Sequence, residues 1–295
     1  MGRLHAFNSM SRRLIAAWQQ LARRHPRSAP RRWLKRPRGL AGKEVCLFVS
    51  YARNGILSEH ALFHARAWSR QGFAVVMIVV LDDMASFGPA SDLDFCSGVL
   101  VRANVGYDFG AWATAVAVLP ELRDAALLAM VNDSVFGPLS SFPRMLAQTR
   151  ACDGDVVGLI ESFEIRHHLQ SFVVFYKPKA LKSAAFRKFW RSVRVGDRAV
   201  VIEECELQLW NRFEQAGLTV KALFPADVRE EPCNPSLTRW RSLVQAGFPY
   251  LKVQLLRENP LNAELHDWPS VLSENGYDPA MVNRYFAALG SKPCS

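Results

Sequence analysis

The sequence lacks the motifs that mark several common site classes. Its six cysteines are scattered and form no Cys-x-x-Cys pair, so no zinc-type spacing is present. No Walker-type phosphate loop, Gly-x-Ser-x-Gly elbow or His-Glu-x-x-His motif occurs, and the seven histidines form no ligand cluster. No apolar run reaches about 18 residues, so no transmembrane helix is predicted. Scattered cysteines in apolar surroundings are typical of a reducing compartment, which predicts a cytoplasmic protein.

Acidic residues are absent from the first forty positions. Eleven of the 37 Lys and Arg residues lie in 1–40, whereas all 27 acidic residues come later. The rest of the chain is therefore nearly balanced in charge, although the net charge of the whole is +10. A folded body without excess positive charge argues against a nucleic-acid partner.

The basic start of the chain has two parts. Apolar residues recur at three- and four-residue intervals over 4–22, which predicts an amphipathic helix able to lie on a membrane interface. Prolines and dense Arg and Lys over 25–40 predict an extended linker. Peripheral attachment to the inner face of the cell membrane through residues 1–40 is one interpretation. A disordered solubilising tail, or a helix docked on its own domain, is the other.

Alternating strand and helix patterns follow from about residue 43. Strands are predicted at 45–50, 73–81, 98–102, 127–131, 156–160, 171–176 and 218–223, and helices at 59–71, 109–119, 184–192 and 202–216. This order predicts an α/β fold with a mainly parallel central sheet flanked by helices, followed by a helical C-terminal region. The predicted domains are a basic tail and linker at 1–42, one large domain at 43–275 and a helical extension at 276–295.

The triplet Asn132-Asp133-Ser134 directly follows a buried strand. Ligands of open α/β sheets bind at the carboxyl ends of strands, and a carboxylate there can hold Mg²⁺ or Mn²⁺. Asp133 is therefore a candidate metal ligand. The same three residue types also form simple turns, which is the alternative interpretation.

Two further loops carry candidate binding residues. In Gly106-Tyr107-Asp108-Phe109-Gly110, the glycines allow close approach of the backbone to a ligand and the aromatic rings can stack on it. Asp108 is equally suited to cap the next helix. Asp82 and Asp83 end a strand, where one of them could contact a nucleotide, while solvent exposure is the plain alternative.

An acidic run and a histidine pair complete the candidates. Glu203-Glu204-Cys205-Glu206 is predicted at a helix start, where a carboxylate held by backbone N–H groups can act as a general base. Acidic residues are also favoured in any first helical turn. His167 and His168 are adjacent and point to different faces, so at most one of them faces a substrate.

Taken together, these stretches resemble the rhamnan synthesis protein F family, glycosyltransferase-like proteins of bacterial surface polysaccharide and lipopolysaccharide assembly. The resemblance rests on stretches 104–112, 132–138, 168–172, 234–236, 247–252 and 259–260, and it extends over 44–268. Their order is also similar to that of inverting glycosyltransferases of the GT-A fold.

The resemblance implies roles for individual residues. Glu204, with Glu203 beside it, would be the catalytic base, and Asp133 would contact a metal or the diphosphate. Asp82 or Asp83, Asn104, Gly106, Tyr107, Asp108 and Asn132 would bind the donor, and His168 and Gln170 the acceptor or diphosphate. The sequence departs in two places, because the metal motif keeps one acid and the base pair is Glu-Glu rather than Glu-Asp.

The function that follows is transfer of a deoxyhexose, with rhamnose favoured, from a nucleotide sugar to a glycan or lipid-linked glycan. The alternative is a non-catalytic scaffold that binds a sugar nucleotide or a glycan in a polysaccharide assembly complex. The shortened metal motif favours that alternative.

Overall fold

Apolar β-branched runs form the centre of a mixed sheet. In a computed structural model of the chain, residues 26–88, 91–226 and 234–294 are described. The strands are β1 Arg31–Lys35, β2 Glu44–Tyr51, β3 Ala74–Leu81, β4 Gly98–Ala103, β5 Leu127–Asn132, β6 Val135–Phe136, β7 Val156–Ser162, β8 His168–Leu169, β9 Val173–Tyr176, β10 Val220–Phe224 and β11 Leu251–Lys252. β3 reads AVVMIVVL and is buried at every position, as expected for a strand covered on both faces.

Helices follow most of these strands. They are α1 Glu59–Arg70, α2 Tyr107–Val118, α3 Phe142–Ala151, α4 Pro178–Lys182, α5 Ala184–Ser192, α6 Arg198–Val201, α7 Leu207–Glu214, α8 Pro235–Thr238, α9 Trp240–Gln245, α10 Val253–Glu258, α11 Trp268–Glu274 and α12 Pro279–Ala288. One π-helical turn, Ile202–Glu206, joins α6 to α7. Within the described ranges, no helix is long and apolar enough to cross a membrane.

The strand order is β1-β4-β3-β2-β5-β9-β7-β10, with β8 paired to β7. β4, β3, β2 and β5 run parallel, and β7 is parallel to β10, whereas β1 and β9 are antiparallel to their neighbours. This arrangement confirms the predicted α/β fold with a mainly parallel sheet. The chain moves outward from β2 to β4 and then returns to place β5 on the other side of β2, which makes the β2–β5 edge a topological switch point.

Alternating side chains of each strand fill two cores on opposite faces of the sheet. From β2, Val45, Leu47 and Val49 join one core, which is covered by α2, α5 and α7. Cys46 and Phe48 join the other, which is covered by α1 and α3. Successive side chains of a strand point to opposite faces, so the continuous apolar runs that predicted these strands supply both cores.

The C-terminal helices pack around a third core at the sheet edge. Phe136, in the two-stranded ladder of β6 with β11, lies in it together with Phe286 of α12, and both side chains are fully buried. Arg284 of α12 also forms a bidentate ion pair with Glu59 at the start of α1. Helix α12, in the segment predicted as a helical extension at 276–295, therefore packs against β6 and α1.

The basic start of the chain is also partly built into the sheet. Arg31–Lys35 pairs antiparallel with β4, so the linker predicted to reach residue 42 instead supplies an edge strand. Backbone pairing overrode the charged composition, because an edge strand can keep Arg and Lys side chains in solvent. The predicted helix over 4–22 lies outside the described residues.

Candidate functional site

A cavity of about 290 Å³ opens at the carboxyl ends of β2 and β5. Five segments line it: the start of α2, the turn after β5, the residues before β9, the α6 and π-turn segment, and the C-terminal region of β11, α10 and α12. Crevices of this kind at a switch point are where open α/β sheets bind ligands. We refer to this cavity as the switch-point pocket.

Asn132 organises the turn after β5. Its side-chain Oδ1 accepts hydrogen bonds from the backbone N–H and the hydroxyl of Ser134, at 3.1 Å and 2.6 Å. Its Nδ2 donates to Oδ2 of Asp108 at 2.7 Å. The triplet therefore forms the turn that its composition predicts, and it also presents Asn132, Asp133 and Ser134 to the pocket.

Hydrogen bonds from the end of β2 hold the Asp133 carboxylate in place. The Ser50 hydroxyl donates to its Oδ2 at 2.6 Å, and the backbone N–H groups of Tyr51 and of Asp133 itself also donate to the carboxylate. Nε2 of the buried His60 lies 3.0 Å from the backbone carbonyl oxygen of Asp133 and donates to it. Burial raises the pKa of the Asp133 carboxyl and lowers that of His60.

Asp108 is a pocket residue and not the predicted helix cap. Gly106, in the left-handed conformation at φ +76°, occupies the cap position, and Gly110 lies one turn later. A Cβ on Gly110 would come within 2.5 Å of the Val105 carbonyl oxygen, so the close packing of this loop requires glycine at that position. Burial, and then the charge of Asp133, raises the pKa of Asp108 to about 7.

Three cationic side chains line the pocket alongside these acids. Arg198 comes from α6, Lys252 from β11 and Arg257 from α10. The Lys252 Nζ lies 5.9 Å from the centre of the Phe172 ring, and burial lowers its pKa while Glu206 and Glu164 oppose that change. Arg257 pairs with its neighbour Glu258 at 3.0 Å.

The acidic run at the π turn contributes one residue to the pocket. Ile202 and Glu206, four positions apart, share the face that lines the cavity. Oε1 of Glu206 accepts a hydrogen bond from the Ser171 backbone N–H at 2.9 Å. Glu203 instead pairs with Arg166, and Glu204 is 63% exposed with its carboxylate 3.7 Å from Arg212. The predicted base pair therefore faces away from the pocket, because its positions lie on the other side of the turn.

Asp82 and Asn104 meet beside the pocket but do not line it. At the ends of β3 and β4, Asn104 Nδ2 donates to Asp82 Oδ1 at 3.0 Å, and the Tyr51 hydroxyl donates to Asp82 Oδ2 at 2.5 Å. Asp83 does not join them: its carboxylate accepts from the Ala85 N–H at 3.0 Å and caps a short turn. Tyr107 does line the pocket and is 44% exposed.

His168 and Gln170 are buried behind the pocket wall. Gln170 donates to Asn234 Oδ1 at 2.8 Å and accepts from the Ser236 hydroxyl at 2.9 Å. His168 Nδ1 lies 2.7 Å from the Arg166 carbonyl oxygen and donates to it. Neither side chain lines the cavity, whereas Ser171 and Phe172, which follow Gln170, do.

Sequence reasoning missed the cations and His60. Lys252 lies within the stretch 247–252 that carried the family resemblance, so a signal existed for it. Arg257 and Tyr285 reach the pocket because the C-terminal helices pack around the third core, beside β6. No local pattern in the sequence indicates that approach.

Comparison with known proteins gives relatives over most of the chain. The virulence protein VirA of Vibrio anguillarum is 25% identical over 257 residues, covering 74% of this chain and 81% of its own. An uncharacterised protein y4gN of Sinorhizobium fredii is 28% identical over 143 residues, covering 46% of this chain and 37% of its own. Among solved structures, a cytidylyltransferase from Leptospira borgpetersenii aligns with a TM-score of 0.37 and 11% identity, over 78% of this chain and 97% of that one.

A family model gives the decisive match. The model of rhamnan synthesis protein F matches residues 76–279, which include the turn after β5, the π turn and most of the pocket lining. The match covers more than half of the 295 residues. The chain therefore belongs to the rhamnan synthesis protein F family.

Proposed function

We propose that this protein is a glycosyltransferase of bacterial surface polysaccharide assembly, and that the switch-point pocket binds a nucleotide-sugar donor. One observation carries the proposal: a carboxylate suited to be a base, Glu206, lines the same cavity as the cations Arg198, Lys252 and Arg257. Transfer from a nucleotide sugar needs both, since a hydroxyl must lose a proton while a diphosphate leaves. Membership of the rhamnan synthesis family supports polysaccharide biosynthesis and favours rhamnose as the sugar.

The donor is proposed to lie across the strand ends. Asp82, with Asn104 and Tyr51 bonded to it, offers carboxylate, amide and phenol groups that can bond the ribose or base of the nucleoside. Asp108 and Asn132 are linked to each other at the pocket floor, where they can bond sugar hydroxyls. The donor would then extend from the exposed ends of β3 and β4 into the pocket.

We assign the base role to Glu206 in place of Glu203 or Glu204. The Ser171 N–H holds Oε1 of Glu206, and Oε2 has no hydrogen-bond partner among the described residues. An inverting transfer needs one such carboxylate near the acceptor hydroxyl. The acceptor would be a glycan or a lipid-linked glycan.

The test compares two substitutions, Glu206→Gln and Glu204→Gln. Each replaces a carboxylate by an amide, but only Glu206 lines the pocket. With a nucleotide-sugar donor and a rhamnan-type acceptor, Glu206→Gln should lower kcat by about 10²- to 10⁴-fold. It should still bind donor, as measured by a donor-induced rise in melting temperature. Glu204→Gln, which removes the same charge outside the pocket, should stay within about twofold of wild type. Full turnover by Glu206→Gln would sink the assignment.

A non-catalytic sugar-nucleotide or glycan scaffold is the second candidate. The observation favouring it is that the carboxylates of Asp108 and Asp133 are already bonded by the protein's own donors. Donor binding with no transfer to any glycan acceptor, in wild type and Glu206→Gln alike, would support the scaffold over the enzyme.

The membrane surface at the inner face of the cell is proposed as the place of action. Arg187, Lys188 and Arg191 are exposed along α5. Arg27, near the described start of the chain, donates to the Trp190 carbonyl oxygen at 2.7 Å, which adds a further cation beside α5. Each such charge adds about 1 kcal/mol near an anionic leaflet.

Flotation with anionic vesicles tests this placement. Deletion of 2–25, which spares β1, and substitution of the three α5 residues with Gln should each lower vesicle binding. Unchanged binding in both variants would argue against a membrane role.

A further inference from the structure

The carboxylates of the switch-point pocket are poorly suited to hold a divalent metal. Asp133 accepts hydrogen bonds from Ser50 and from two backbone N–H groups, and Asp108 accepts one from Asn132. A hard cation needs several free oxygen ligands at one point. In the described parts of the chain, no group of three or more His, Cys, Asp or Glu residues could hold a metal ion. The donor set therefore does not fit the Mg²⁺ or Mn²⁺ predicted at Asp133.

The cations of the pocket are better placed to hold an anion. Neither Arg198 nor Lys252 forms a salt bridge with a carboxylate in the described ranges, and Arg257 pairs only with the adjacent Glu258 there. They come from three elements, α6, β11 and α10, and converge on one cavity of about 290 Å³. Unpaired Lys and Arg side chains in a partly enclosed cavity are typical of phosphate recognition.

The partial burial of Lys252 also indicates an anion site. Lys252 is partly covered and lies against the Phe172 ring, where an ammonium group without a counter-ion is costly. Glu206 and Glu164 supply some compensation at longer range. An anion bound between Lys252, Arg198 and Arg257 would supply the rest.

We propose that Arg198, Lys252 and Arg257 bind the diphosphate of the donor directly, without a metal ion. This inference rests on the proposed function for the identity of the ligand. During transfer, the bond between the sugar C1 and the diphosphate oxygen breaks, and its electron pair goes to that oxygen. The acceptor oxygen forms the new bond to C1, and its proton goes to Glu206. The three cations stabilise the charge that develops on the departing diphosphate.

Inorganic pyrophosphate in EDTA is the probe, because it carries neither a sugar nor a base. Calorimetric titration of the full chain should show binding in EDTA. Arg198→Ala and Arg257→Ala should each weaken it about tenfold or more, since each removes a charge-assisted contact. Arg257→Lys should recover part of the loss, and Lys252→Gln should weaken binding without removing the side-chain stem that covers Phe172. Arg144→Ala, an exposed charge on α3 away from the pocket, should change binding by less than about twofold.

Three results would overturn the proposal: binding that appears only when Mn²⁺ replaces EDTA, no binding in either condition, or equal affinity in Arg257→Ala and Arg144→Ala. Urea unfolding of each variant separates misfolding from lost binding. Pyrophosphate binding that follows this pattern while no donor is turned over would leave the cation site standing and reject the glycosyltransferase proposal. The two ideas therefore fail separately.

Discussion

Asp108→Asn should make the protein more stable at pH 8 and less able to bind donor. The Asp108 carboxyl lies on the pocket floor, where burial and the neighbouring Asp133 raise its pKa from 3.8 to about 7. Ionising it in the folded state therefore costs more than ionising it in the unfolded chain. Asn has the same shape, and its oxygen can still accept the hydrogen bond from Asn132 Nδ2.

The sign and size follow from proton linkage. Between pH 4 and pH 7 the folded state holds the Asp108 proton more tightly than the unfolded state, so the free energy of unfolding falls as pH rises through that range. At about 1.36 kcal/mol for each pH unit between the two pKa values, the upper limit of that loss is about 4 kcal/mol. Relaxation and water in the pocket reduce it, so we expect Asp108→Asn to gain about 1–3 kcal/mol at pH 8. The gain should shrink as pH falls toward 4 and vanish below about pH 3, where Asp108 is protonated in both the folded and the unfolded state.

Urea unfolding followed by tryptophan fluorescence, at pH 4.5 and pH 8, measures this difference. The exposed Asp94→Asn removes the same charge at a distance from the pocket and controls for the overall charge. A stability gain of Asp108→Asn that is equal at both pH values, or no gain at pH 8, would mean that the Asp108 carboxyl does not have a raised pKa in the folded state. If Asp108→Asn is more stable but no longer binds the donor, then Asp108 lowers the stability of the fold and serves donor binding.

Three smaller predictions concern how the pocket is supported. Phe286→Ala should lower the free energy of unfolding by about 3–5 kcal/mol in urea, because Phe286 is fully buried in the core that holds α12 against Phe136; a change below about 1 kcal/mol would mean that the C-terminal helices are a detachable extension. Gly110→Ala should cost about 1–3 kcal/mol and weaken pyrophosphate binding, since its Cβ would press on the Val105 carbonyl; wild-type melting and affinity would show that the loop adapts freely. His60→Phe keeps an aromatic ring but removes the N–H group that bonds the Asp133 carbonyl oxygen. The free energy of sugar-nucleotide binding should therefore fall by more than the free energy of unfolding. An equal fall in the two free energies would mean that His60 serves only in packing.

The central sheet was predictable because its strands carry strong local signals. The apolar run of β3 and the residues before Asn132 allow few other structures. β1 escaped prediction because Arg31 and Lys35 look like part of a solvated linker, whereas pairing with β4 is a tertiary interaction. The two-residue ladder of β6 with β11 escaped for the same reason.

The pocket residues, too, include some that the sequence predicts and some that it does not. Asn132 and Asp133 were predicted because they stand at a strand end, and Asp108 because it lies in a glycine-containing loop at a helix start. Glu206 stood in a recognised acidic run, but only the π turn decides which of its glutamates faces the pocket. Lys252, Arg257 and Tyr285 arrive from a region whose approach depends on the packing of Phe136 and Phe286, and no sequence pattern reports that.

A melting-temperature panel of nucleoside diphosphates and their sugars, in EDTA, measures whether the switch-point pocket binds a sugar nucleotide without a metal ion. A ligand of the native state stabilises it by about 2.7 kcal/mol at a hundredfold excess over Kd, which raises the melting temperature by several degrees. We expect such a rise with one sugar nucleotide in the wild type, and its loss in Arg198→Ala and Arg257→Ala. A panel in which no sugar nucleotide shifts the wild type, or in which these variants respond as it does, would contradict the assignment of the switch-point pocket.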